Sequence, residues 1–153
     1  MFNVVKSVLA PMLLFFCLAV PAEAGWSIYK RAAIRSQDKN ILRIDRQSGS
    51  PVRAWFFLRH KAAGAFESKF PLYRVDNHEV RDLESAKDVR TDKKKNYWVR
   101  WHIYDGKGDI NDDLRELMNG KEMIIQYYLP GGVIKESIFP LKGAREAIEE
   151  VLR

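Results

Sequence analysis

Two stretches of this chain interleave aromatic rings with cations at alternate positions. Arg53, Trp55, Phe57 and Arg59 form one set; Trp98, Arg100, His102 and Tyr104 form the other. Side chains of a strand alternate between its faces, so each set would share one face. If the two strands lie side by side, the sets merge into a patch of rings and guanidinium groups. Rings stack on planar groups and sugars, and guanidiniums make charged hydrogen bonds to carboxylates and phosphates. Such a patch suits acidic glycans, lipid headgroups or an acidic protein. The ordinary alternative is a second buried face, in which arginine stems cover Trp55, Phe57 and Trp98.

The densest positive run is Arg90-Thr91-Asp92-Lys93-Lys94-Lys95, where Arg90, Lys93, Lys94 and Lys95 could steer the protein to an anionic surface. More often such a run is a solvated loop that keeps a protein soluble. Asp105 to Glu116 resembles a calcium loop in the spacing of its acids. Lys107 and Ile110 fall where that loop needs an oxygen ligand and a glycine, so a turn followed by a capped helix explains the acids better. The three histidines, His60, His78 and His102, have no ligand spacing, and no metal site is expected. There is no Gly-x-Ser-x-Gly elbow and no glycine-rich phosphate loop. No catalytic residue and no cofactor are therefore assigned.

The start of the chain sets the compartment. Met1 to Ala24 reads as a secretory signal peptide, with Lys6 early, an apolar run from Val8 to Val20, and Ala22-Glu23-Ala24 before the cut. The mature chain is expected to begin at Gly25 and to be periplasmic or secreted. No later stretch is long and apolar enough for a membrane span. Cys17, the only cysteine, lies within the signal, after the bulky Phe16 that disfavours a lipoprotein cut. The mature domain thus has no disulfide and relies on its core. Cleavage removes one charge of each sign, Lys6 and Glu23, so the formal +6 is kept. That excess favours anionic surfaces, and export argues against nucleic acid as the partner.

Residues 25–153 show no repeat and no linker, and are read as one domain. Trp26 to Ala33 is expected to be the first strand, and Gln37 to Asn40 a polar turn. Ile41 to Arg46 alternates, with Leu42 and Ile44 on one side and Ile41, Arg43 and Asp45 on the other. After a turn at Gln47 to Pro51, Val52 to Arg59 puts Val52, Ala54, Phe56 and Leu58 on one face. Phe70 to Val75 and Glu79 to Leu83 are two short strands around Asp76-Asn77-His78, and Ser85 to Asn96 is the longest exposed loop. Tyr97 to Tyr104 is a strand with Tyr97, Val99, Trp101 and Ile103 on one face. Asn111 or Asp112 caps a short helix near 112–119 that stops at Gly120. The fold class is mainly β: antiparallel sheets forming a β-sandwich or barrel, with that helix and a C-terminal one.

The last third closes the domain. Met123, Ile125, Tyr127 and Leu129 alternate along Glu122 to Leu129, and Val133 to Phe139 returns after Pro130-Gly131-Gly132. A two-residue turn puts Ile134 and Ile138 on the same face as Met123, Ile125 and Tyr127. A three-residue loop would flip one strand and oppose Tyr127 to Lys135, so the two-residue registers are preferred. Ala144, Ala147, Ile148 and Val151 then line one side of a helix.

These elements resemble the C-terminal part of the invasion-associated locus B family. The resemblance is carried by Leu114 to Gly120, Met123 to Leu129, Pro130 to Gly132, and Pro140-Leu141-Lys142-Gly143-Ala144-Arg145-Glu146-Ala147-Ile148. It implies an exported β-sandwich protein of Gram-negative bacteria, some relatives of which are linked to host-cell invasion. It supplies no catalytic residue. The family commonly has cysteines, absent from residues 25–153, and a Phe where this chain has Ala144.

The expectation is a non-enzymatic envelope protein that binds an anionic surface, a glycan or a protein partner through the aromatic and basic face. Two rivals differ in class. One is a small periplasmic hydrolase using His102 with a nearby carboxylate and hydroxyl. The other is an assembly subunit whose sheet edge accepts another strand.

Overall fold

A computed structural model of the chain describes residues 25–58, 70–84, 90–92 and 97–153. Residues 1–24, on which the expected signal peptide falls, Arg59, His60, Lys61 to Lys69 and Lys93 to Lys95 lie outside the described residues.

The chain forms two antiparallel sheets and two helices. In order, the strands are β1 (Ser27–Tyr29), β2 (Ala32–Gln37), β3 (Asn40–Arg46), β4 (Val52–Leu58), β5 (Leu72–Val75), β6 (Arg81–Asp82), β7 (Arg90–Asp92), β8 (Tyr97–Tyr104), β9 (Glu122–Leu129) and β10 (Val133–Pro140). Helix α1 (Asp112–Asn119) lies between β8 and β9, and α2 (Ala144–Leu152) ends the fold. One sheet has the order β1-β2-β3-β4-β8-β7, the other β10-β9-β5-β6.

The core faces follow from alternation. Leu42, Ile44, Val52, Ala54, Phe56, Leu58, Val99 and Trp101 are buried from the larger sheet; Tyr73, Val75, Met123, Ile125, Tyr127 and Phe139 are buried from the smaller. Phe56 meets Tyr127 at 5.6 Å and Phe139 at 6.2 Å between ring centres, which locks the sheets face to face. A polar contact reinforces this: Asn40 of β3 donates to the Ser137 and Tyr127 hydroxyls.

The helices close the same core with Leu114, Leu117, Met118, Ala144, Ala147, Ile148 and Val151. Asn111 caps α1 through a 3.1 Å bond from the Leu114 amide. Its own amide donates to the Ile103 carbonyl at 2.6 Å, so the cap also ties the helix to β8. Gly120 stops α1 for reasons of space, because its φ is −70°. A Cβ there would collide with Val75 and stand 2.8 Å from the Glu116 carbonyl.

Three expectations change. The first strand is a hairpin: Lys30 and Arg31 take positive φ of 47° and 60°, so the chain turns back from β1 into β2. Arg90–Asp92, expected in a loop, pairs with β8 as the edge strand β7. The β9–β10 loop has three residues, Val133 pairing with Leu129 and Lys135 with Tyr127. Gly131 and Gly132 take φ of 80° and 77°, an arrangement that accommodates the extra loop residue. Phe139 and Ser137 thereby point inward, and Ile134 and Ile138 are left 52% and 44% exposed.

Candidate functional site

The turn at Gln47 to Pro51 folds β4 back along β3, and β8 flanks β4 on its other side. This order brings the two interleaved sets together on the outer face of the six-stranded sheet. Arg43 pairs across to Trp55, and Trp55 to Arg100; Asp45 pairs to Arg53, and Arg53 to His102. Phe57 pairs to Trp98.

Trp55 is the centre of the arrangement. Guanidinium carbons of Arg43, Arg53 and Arg100 lie 5.7, 5.6 and 5.2 Å from its ring centre. Phe57 stacks beside it at 5.9 Å with 6° between planes, and Trp98 tilts against it at 5.1 Å. The rings are half-buried and the arginine stems cover them, so part of the ordinary explanation holds.

Asp45 sets the charge balance. It is only 4% exposed and takes Arg43 at 2.9 Å and Arg53 at 3.0 Å. Arg100 has no carboxylate partner among the described residues, and its Nε is buried without an acceptor, as is the Trp55 indole nitrogen. Two guanidiniums thus share one carboxylate, and a third has none, around an aromatic floor. The face is cationic and rich in donors.

Arg53, Trp55, Trp98, Arg100 and His102 therefore lie together, because β4 and β8 are neighbours. Tyr104 does not join them. The ladder shifts register between Val52 and Arg53, so Tyr104 pairs with the inward-facing Val52 and is packed in the core. Its hydroxyl donates to the Gly108 carbonyl at 2.6 Å. Arg90 pairs with Arg100 along the backbone. Arg59, Lys93, Lys94 and Lys95 are outside the described residues. The residues missed as site members are Arg43 and Asp45. Their place on the polar side of β3, one hairpin away from Trp55, was the available signal.

The acids of 105–116 have structural partners. Asp105 accepts from the Lys107 amide at 2.9 Å, and Asp113 and Glu116 pair with Arg81 at 2.8 and 2.7 Å. A surface depression of about 490 Å³ beside His102 is lined by Asp105, Asp109 and Asp113. No serine or threonine lines it, and the Tyr104 hydroxyl there is already engaged. No helix among the described residues is long and apolar enough to cross a membrane.

Compared with known proteins, the chain matches no family model, no curated protein and no solved structure.

Proposed function

We propose that this chain is an exported, non-enzymatic envelope protein that binds an anionic surface, glycan or protein partner through the outer face of its six-stranded sheet. The observation that carries this reading is Arg100. Its guanidinium stacks on Trp55 without a carboxylate partner among the described residues, beside two arginines that share Asp45. A cation held against a ring has fewer conformations to lose when an anion arrives. The half-buried rings alongside offer stacking area for a sugar or an acyl-headgroup boundary. The signal-like residues 1–24 support a periplasmic or extracellular setting, where anionic lipid and acidic glycan are abundant.

The test is retention on anionic liposomes at low salt. Arg100→Ser removes the unpaired cation while leaving the Asp45 pairs in place. Retention is expected to fall about fivefold, the loss of roughly 1 kcal/mol for one basic side chain near a charged surface. Added salt should abolish the difference through screening. Equal retention of the two proteins at low salt removes this face from the argument.

A further inference from the structure

On the other side of the same sheet, a cleft of about 720 Å³ opens between β1, β2, the end of β10 and the start of α2. Its volume is in the range of small-molecule sites. Arg35 lines it. This residue pairs across to Leu42, so it points to the core side of the sheet, and it is only 8% exposed. Its Nε has no acceptor, and no carboxylate among the described residues pairs with it. A buried, unpaired cation is costly, and a protein that needed only packing there would place an aliphatic residue.

Trp26 lines the same cleft and carries a second unsatisfied donor. The indole nitrogen of Trp26 is buried without an acceptor. The indole lies over the start of α2, with its Cδ1 3.8 Å from where a Cβ on Gly143 would stand. Helix α2 begins there with no side-chain cap, so its positive dipole end adds to the same field. Lys142 is also part of the lining; Glu146, exposed on α2, is its one acid. Ile28, Pro140 and Ala147 supply an apolar wall, and the uncharged amide of Gln37 lies beside Arg35 in the lining.

We propose that this cleft binds a small amphiphilic carboxylate, with its head on Arg35 and the Trp26 N–H and its hydrocarbon along Ile28, Pro140 and Ala147. A guanidinium presents two parallel donors that match the two oxygens of a carboxylate. The apolar wall selects a ligand with one charged end, and Glu146 opposes a second negative charge. The site is separate from the Trp55 face, since Arg35 and Trp55 lie on opposite sides of the sheet.

Isothermal titration of the purified protein with decanoate tests this. Saturable one-to-one binding is expected. Arg35→Gln should weaken it roughly tenfold or more, as a charge-assisted hydrogen bond is lost. Decanol, with the same chain and no charge, should bind wild-type protein more weakly by a similar factor. Arg100→Ser should leave decanoate binding unchanged, which separates this site from the outer face. The proposal is overturned by absence of saturable binding, by full affinity in Arg35→Gln, or by decanol or inorganic phosphate binding as tightly as decanoate. If Arg35→Gln fails to fold, the decanoate and decanol comparison on wild-type protein decides.

Discussion

Along the outer face of the six-stranded sheet, Arg43, Asp45, Arg53 and Arg100 surround Trp55. Along that of the four-stranded sheet, Arg74, Ile124 and Ile138 form one row, and Tyr128 and Ile134 form another. Both faces come from the same two-residue alternation, yet one gathers three arginines around Trp55 and the other mixes β-branched side chains with the scattered charges of Arg74 and Glu136. The difference shows what alternation can and cannot decide. In β4 and β8 the inward set is apolar and the outward set holds the arginines, so the orientation is determined by composition. In β10 both sets contain apolar residues, and composition leaves the orientation open. Long-range contacts settle it there: Phe139 against Phe56, and Ser137 beneath Asn40.

The sharpest way to break this comparison is a pair of neighbouring substitutions in β10. Phe139 is fully buried and Ile138 is outward. Phe139→Ala should lose about 4 kcal/mol of unfolding free energy in urea, from lost burial plus the cavity left behind. Ile138→Ala should lose less than about 1 kcal/mol, as expected of an exposed site. The reverse order would restore the two-residue turn and bring Ile134 and Ile138 back to the core.

A smaller effect separates the charged residues of the two outer faces. Asp45 is buried between Arg43 and Arg53, whereas Glu136 on β10 is exposed. Asp45→Ala leaves two guanidiniums without their acid and should cost about 3 kcal/mol. Glu136→Ala should change stability by no more than about 0.5 kcal/mol. Equal denaturant midpoints for the two variants would mean that Asp45 does not organise its face.

The β-rich architecture, the helix at 112–119, the closing helix and the inward sets of β3, β4 and β8 were legible because each rests on local pattern. Leu42 and Ile44, or Phe56 and Leu58, announce themselves by alternation alone. The Lys30-Arg31 turn was not legible. It uses left-handed backbone at residues with no strong preference for it, so Trp26 to Ala33 read as one strand. Within the candidate site, the sequence leaves the neighbouring of β4 and β8 as a condition, which the sheet order meets. The displacement of Tyr104 was hidden, because a register shift leaves no local mark in eight alternating residues. Arg35 is illegible in the sequence for a related reason. A basic residue in a polar stretch looks solvated until β10 and α2 are folded over it.

The interior between the two faces supplies the last comparison, through Tyr73 of β5. Its ring lies 5.3 Å from Trp101 across the core, and Arg81 covers it at 5.6 Å. Burial pushes the Tyr73 hydroxyl from its ordinary 10.0 up to about 12; nearby Asp113 adds to the rise, and Arg81 opposes it. In the unfolded chain the same group ionises near 10.0. As pH rises from about 10 to about 12, the unfolded state therefore loses this proton first and gains stability relative to the fold. The stabilising contribution is present below pH 10 and disappears through the folded value, a change of a few kcal/mol at most for a shift of this size. Other tyrosines and lysines titrate in the same window, so the informative quantity is a difference. In urea midpoints compared from pH 9 to pH 12, wild type should weaken more steeply than Tyr73→Phe, so that the difference between them shifts in favour of the variant. Parallel curves would place the Tyr73 hydroxyl in water, outside the core that holds the two outer faces apart.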